Sequence, residues 1–435
     1  MASTRRRTLA RNLALAGGLA QAILWPSLAA AQEGGAGDER YMRVREESRT
    51  GPVRLELSIR TLRPSEDGRP VVHLVGVAHI AQPAYYRTLQ SFLDQQDLVL
   101  FEGVGPDWAR VDDDASDTER ADATTGRVRF IAAAAERYRQ AMGAYPADAR
   151  ALIESAEPYE RRQLADALTD GWDRPIHYHV SEAGSLELTS LGADGEPGGS
   201  GAEADVQLSE MAPISPEEAG ASEGIQSQLA SATGLVFQLD SIDYSSEKWI
   251  NADMTIGELF GTTDGEPGVG EDPGGLMGLL SGESMMAKLM GGVLKLIGSS
   301  EYSRAVFRLA LIEMLGRSEE LMEVALPQMG GDLFERIIEG RNEVVIEAVR
   351  EASEGGDAPG SIAVFYGSGH MEGLERTLVE EDGYRVSETT WLPAIVVDYD
   401  SSGIPARQGA FFRSMISRSL EQQVEAMRRM APQQD

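Results

Sequence analysis

The 435-residue sequence contains no cysteine. That absence excludes disulfides, thiolate metal sites, cysteine nucleophiles and a lipid-modified N-terminal cysteine. Histidine is scarce too, and the five residues are His73, His79, His177, His179 and His370. Any metal must therefore be held by histidine and carboxylate. Basic residues number 39 against 70 acidic ones, and the resulting net charge of -31 repels phosphate backbones. No nucleic-acid partner is expected. Beyond the N-terminus no apolar stretch is long and charge-free enough for a stable membrane span, since Glu283, Lys288 and Lys295 interrupt the best candidate. What is present is a 42% hydrophobic chain with length for one large domain or two ordinary ones.

Residues 1–31 read as a cleaved leader. Arg5-Arg6-Arg7 precede a mildly apolar run from Leu13 to Leu28, which ends in Ala29-Ala30-Ala31, so cleavage is expected after Ala31. The paired arginines with Leu9 beyond them resemble a twin-arginine export signal, with the general secretory route as the alternative. The expected location is periplasmic or extracellular. Losing Arg5, Arg6, Arg7 and Arg11 leaves the mature chain still more acidic, and without disulfides it must rely on its core alone.

Residues 32–50 are polar and glycine-rich and read as a loose lead-in, and an α/β domain is expected over 51–400. The alternating Val53–Ile59 predicts a half-buried strand and Val71–Val75 a central one. A helix opened by Pro83 and a strand at Asp97–Phe101 complete a βαβ unit, which implies a parallel pair covered by helices. Helical patterns occupy Asp107 to Thr169, a strand is expected over Pro175–Val180, and helices return from Ser303 to Glu354. Ser361–Tyr366 reads as a buried strand, Glu372–Glu380 as a helix, and Tyr384–Val386 with Ala394–Tyr399 as closing strands. The fold class is thus α/β, a mostly parallel central sheet with flanking helices and a helical middle subdomain. Two interruptions are expected. Residues 181–225 hold ten acidic residues, no basic ones and runs of glycine, predicting a disordered insertion, and 261–275 form a second acidic loop. Leu276 to Ile297 reads as a Met-rich packing helix, and 401–435 as a C-terminal helix and tail.

One pattern occurs twice. Gly76-Val77-Ala78-His79 follows the first central strand, and Gly367-Ser368-Gly369-His370 follows the late one. Glycine at a strand end lets the chain turn sharply and approach a ligand, so each histidine is expected beyond a carboxyl edge. Glu102 stands at the same place after Phe101. Ligands of open parallel sheets bind beyond those edges, so two imidazoles and a carboxylate are expected to converge. Such a set suits a catalytic divalent metal whose bound water becomes hydroxide near neutral pH. A metal-free version is the alternative, with one histidine as general base and Glu102 orienting its ring. Arg341 could steady a substrate carboxylate or oxyanion, or form a structural ion pair with a nearby glutamate. His73 is a candidate support for the site from behind, Asp243 and Asp253 are candidate helix caps near the cleft, and His177 with His179 share a strand face that permits a metal pair.

The segments H-L-V-G-V-A-H-I-A, L-V-L-F-E-G-V and F-Y-G-S-G-H-M-E-G-L resemble the TraB/Tiki/GumN family, itself related to the erythromycin esterase and ChaN groups. The match covers Gly76, His79, Glu102, Gly367 and His370, while Arg341-Asn342 and Asp243-Tyr244 resemble further segments of the family. The resemblance implies a metal-dependent hydrolase, with manganese or cobalt favoured over zinc, held by His79, Glu102 and His370 and acting on peptide or protein substrates. It implies catalytic roles for His79, Glu102, His370 and Arg341, with Gly76, Gly367, Asn342, Asp243 and His73 around them. A metal-free esterase-like hydrolase, or a non-catalytic protein that binds metal, haem or an exported peptide, are the alternatives.

Overall fold

Four short runs build the centre of the protein: Val71–Val77 (β3), Leu98–Phe101 (β5), Trp249–Asn251 (β10) and Ser361–Gly367 (β11). Three of them are almost wholly apolar because both faces are covered. Alternate residues of β11 point opposite ways, Ala363 and Phe365 into one core and Ile362, Val364 and Tyr366 into the other. In the computed structural model, which describes residues 41–112, 114–219, 233–260, 300–317, 335–355 and 357–430, these strands pair parallel in the order β3-β11-β5-β10. Val53–Pro64 (β2) continues the sheet antiparallel to β3, and it also pairs with Met42–Glu46 (β1) and Tyr384–Val397 (β12). The fold is α/β.

The helices of seven or more residues, in chain order, are α1 (Pro83–Leu93), α2 (Asp117–Met142), α3 (Ala149–Ser155), α4 (Pro158–Ala167), α5 (Glu301–Leu315), α6 (Arg341–Ser353), α7 (Met371–Glu380) and α8 (Ala406–Met430). On one face of the sheet, Tyr85, Tyr86, Leu89 and Leu93 of α1 and Leu309 and Ile312 of α5 pack on Val75, Phe101 and Phe365. On the other, Val345, Ile346 and Val349 of α6 and Leu374 and Leu378 of α7 pack on Leu74, Leu100 and Val364. Each large apolar side chain so buried contributes roughly 1.5–3 kcal/mol. The crossover from β3 through α1 to β5 skips one place in the sheet, and β11 fills it from late in the chain.

Several expectations need correction. The lead-in is not loose throughout, because β1 pairs with β2 and Tyr41 is buried. The two expected closing strands are one strand, β12, whose register shifts at Val386/Glu388 and Pro393/Ile395. Its polar, exposed middle hides the continuity, and proline at a shift is tolerated because a bulge there leaves no ladder donor unmet. The largest correction concerns 181–225. Of this segment 181–219 are ordered: Leu186–Ser190 (β7) pairs on one side with His177–Val180 (β6) and on the other with Val206–Gln207 (β8). Leu188 and Ser190 are buried: Leu188 joins a core that includes Val128, Ile131 and Leu164, and the Ser190 hydroxyl donates to Asp170 Oδ2 at 2.6 Å. The middle of the chain is therefore helices plus a small antiparallel sheet. The remaining two-stranded piece pairs Ile80–Ala81 (β4) with Val236–Phe237 (β9). The leader, the loop at 261–275 and the Met-rich helix at 276–297 fall outside the described residues. Among the described residues no helix is long and apolar enough to cross a membrane.

Candidate functional site

The carboxyl ends of β3, β11, β5 and β10 open on the same side, as parallel pairing requires. In the register Val77 stands beside Gly367, so the glycines of the two repeated patterns lie one position apart on neighbouring strands. The turn after β3 exposes carbonyls that α1 satisfies: Tyr85 donates to Gly76 O at 3.2 Å and Tyr86 to Ala78 O at 2.6 Å. After β11 a single 3-10 turn, Ser368–His370, leads straight into α7.

Arg341, the first residue of α6, sits at the centre. Its Nε donates to Asp253 Oδ1 at 2.8 Å and its Nη2 to Asp253 Oδ2 at 2.6 Å, a bidentate fork. Nη2 also donates to Glu102 Oε1 at 2.6 Å, and Nη1 to His370 Nε2 at 3.3 Å. The second Glu102 oxygen accepts from Gly367 N–H at 2.5 Å. A side chain at Gly367 would place its Cβ only 3.1 Å from that oxygen, so glycine keeps the approach open. His370 Nδ1 meets Asn342 Oδ1 at 2.9 Å, and the Asn342 amide nitrogen lies where a Cβ on Gly373 would come within 2.6 Å. Arg341, Asp253 and His370 are buried, whereas His79 is exposed at the mouth.

These environments set the charges. Burial of Glu102 opposes its ionisation, but Arg341, then His370, His79 and the Gly367 N–H outweigh it and hold the carboxyl below its ordinary range. His370 is pushed down, chiefly by burial, with Glu102 opposing, so it is neutral at pH 7. Arg341 is held above its usual value because hydrogen bonds and charge from Asp253 and Glu102 exceed the burial penalty. His79 acts electrostatically on both Glu102 and His370, which brings the two repeated patterns to one site. Its ring Nδ1 lies 3.2 Å from Gln238 Oε1.

Other expected participants lie elsewhere. His73 is inside β3, where Nδ1 contacts Thr61 Oγ1 at 3.1 Å and the ring meets Phe92 edge-on at 5.2 Å. Burial, then Arg63, pushes it down to about 4. It supports α1 rather than the site. Asp243 caps a turn, its Oδ1 accepting from Ser245 N–H at 2.9 Å. Gly76 packs beside Ser368 and Met371 at the base of the His370 turn, and a Cβ there would meet them at 3.5 Å, an ordinary contact distance. His177 and His179 share the exposed face of β6, far along the chain from the sheet's edge in a separate unit. Asp253 is the residue the sequence reading undervalued as a cap. Its Oδ2 also accepts from Gly103 N–H at 2.9 Å, and the buried Tyr366 hydroxyl donates to Ala252 O just before it. The signal was its place beyond a strand end, as for Glu102, but β10 is only three residues long and has no period to detect.

A divalent ion held by His79, Glu102 and His370 would need their donor atoms about 2.0–2.2 Å from one point. Glu102 Oε1 and His370 Nε2 are 3.8 Å apart, and both are already hydrogen-bonded to the Arg341 guanidinium. The resident cation is therefore Arg341, and these donors do not fit a metal while it stays there. Among the described residues no group of three or more histidine and carboxylate side chains is arranged to hold an ion.

Comparison with known proteins redirects the family assignment. Residues 113–209 match the family described as Type II secretion system (T2SS), protein G, and the matched span is the unit built from α2 to β8. This overturns the resemblance to TraB/Tiki/GumN, and the preference for manganese or cobalt, which rested on it, loses its basis. The match covers less than a quarter of the 435 residues, so it describes that unit and leaves the main sheet unassigned. It points to a secretion-related, exported or envelope-associated protein. No curated protein and no solved structure matches the chain.

Proposed function

We propose that the protein is a hydrolase of acyl compounds, esters or amides, that uses His79 as general base on water and needs no metal for the step. The observation that carries the reading is the exposed His79 imidazole set against the buried Glu102–Arg341–Asp253 network and a neutral His370. Nε2 of His79 removes a proton from water as the oxygen attacks the carbonyl, and the leaving group takes that proton back as the tetrahedral species collapses. Four of the five guanidinium hydrogens of Arg341 have partners among the described residues, so the fifth, on Nη1, is the one a developing oxyanion would take. The metal-free form is favoured over the metal-assisted one because Arg341 occupies the position between Glu102 and His370. Export through a leader cut after Ala31 by the twin-arginine route is part of the same proposal, supported by the basic, small-residue pattern of 1–31 and by the secretion-related match.

The test is turnover over a panel of peptides and esters, with and without chelator. Activity that survives chelation and falls about 10²–10⁴-fold in His79→Ala is expected. Activity abolished by chelator and restored by a divalent metal would overturn the metal-free step, and stoichiometric peptide binding without turnover would overturn hydrolysis.

A further inference from the structure

Both histidines of the repeated pattern meet a side-chain amide at Nδ1, and the two amides come from unrelated parts of the chain. For His370 the hydrogen-bond pattern permits one solution. An arginine nitrogen only donates, so His370 Nε2 must accept from Arg341 Nη1, and the ring proton must sit on Nδ1, facing Asn342 Oδ1 at 2.9 Å. His79 obeys the same logic through a longer chain. Gln238 is buried, its Nε2 donates to the Tyr244 hydroxyl at 3.1 Å, and in this orientation its Oε1 faces His79 Nδ1 at 3.2 Å. A carbonyl oxygen only accepts, so His79 Nδ1 carries the proton and Nε2 keeps its lone pair. The same residue also fixes the backbone, since Gln238 N–H donates to His79 O at 2.8 Å where β4 pairs with β9.

We infer that Gln238 is the positioning residue of His79: it selects the Nδ1–H tautomer and so presents an unprotonated Nε2 at the mouth of the site, as Asn342 does for His370 inside it. Free imidazole prefers the opposite tautomer, with the proton on Nε2, so the arrangement must be imposed from outside the ring. An amide also differs from the carboxylate that orients many catalytic histidines, because it holds the ring without adding charge. The use of that Nε2 as a base rests on the hydrolase reading above, whereas the tautomer itself does not.

The test is ¹⁵N nuclear magnetic resonance of the full chain labelled at histidine, read at a pH where both rings are neutral. In the wild type the His79 and His370 rings should each show a protonated Nδ1 and an unprotonated Nε2. Gln238→Leu should return His79 to the Nε2–H form while His370 keeps its pattern, and Gln238→Glu, which still accepts at that reach, should restore Nδ1–H. A wild-type His79 already in the Nε2–H form, or one unmoved by Gln238→Leu, would overturn the inference. The unchanged His370 signal reports that the Gln238→Leu chain is folded. Turnover is a separate readout: with an identified substrate, Gln238→Leu should lower kcat about tenfold or more with little change in KM. A chain that shows the tautomer pattern but hydrolyses nothing would sink the hydrolase reading and leave the role of Gln238 standing.

Discussion

Arg341 shows why single residues dominate this site. It is the shared partner of two carboxylates that are almost wholly withdrawn from solvent, Asp253 with no side-chain exposure and Glu102 with 13%. Arg341→Ala would strand both charges, and a loss of about 3–5 kcal/mol in urea unfolding is expected. Arg341→Lys should recover only part of it, because an ammonium cannot reproduce a planar fork that reaches two carboxylates and an imidazole together. A second prediction concerns acid. His73 and His370 both bind protons less readily when folded than at the ordinary imidazole value of 6.5, so the unfolded chain takes up the protons first. Their contribution is complete above about pH 6.5 and is lost as pH falls, for His73 through about 4. Glu102, held low when folded, adds loss of the same sign further into acid. Unfolding free energy measured from pH 7 to 4 should fall by up to about 1.4 kcal/mol per pH unit for each titrating histidine, and His73→Gln should flatten the upper part of that slope.

Among the elements, β7 departs most from its composition. It lies in a segment with ten acidic residues and no basic ones, yet it is the central strand of a small sheet. The explanation lies in alternation. Leu188 and Ser190 face α2 and are buried, while Glu187 faces water, so charge is spent on the outer face alone. The glycines that suggested disorder occupy turns instead: Gly192, Gly195, Gly198, Gly199 and Gly201 all adopt positive φ, which other residues reach only at a cost. Two backbone bonds, Ala193 N–H to Ala202 O at 2.9 Å and Asp205 N–H to Gly198 O at 3.0 Å, close the loop between β7 and β8. Hydrogen exchange should therefore find slow amides at Leu188 and Ser190, and Leu188→Ala should cost about 2–5 kcal/mol. Immediate exchange there would restore the disordered reading. At the opposite end of the same unit, Gly171 packs against the backbone of Arg120, which a Cβ would meet at 2.3 Å. Gly171→Ala should thus destabilise by roughly 1–3 kcal/mol through a contact that backbone cannot relieve.

At the scale of the whole molecule the described residues form one main sheet with a second unit set into the connection between β5 and β10. That unit has its own core, from Val128 to Leu188, and meets the main sheet through aromatic contacts such as Tyr159 on Phe101 at 6.4 Å and on Tyr244 at 5.2 Å. A fragment spanning 107–219 should therefore unfold cooperatively by circular dichroism, and a featureless melt would show that its core depends on the sheet. The acidic excess extends to the fragment, whose 24 acidic residues against 10 basic ones should keep it soluble as well.

How much of this was legible depended on the range of the interactions involved. Local periodicity sufficed for β3, α1, β5 and β11, because burial on both faces writes continuous apolar runs into short stretches of chain. The repeated glycine–histidine turn, being local, was legible as well, and so was its position beyond the strand ends. Three things were decided only in three dimensions. The strand order put β11 between β3 and β5 and so brought His370 beside Glu102; packing turned an acidic, glycine-rich stretch into a sheet; and Arg341 took up the space between carboxylate and imidazole that the sequence left open to a metal. Each depends on groups brought together across long stretches of chain, where shared burial and charge neutralisation, rather than any nearby residue pattern, select the partner.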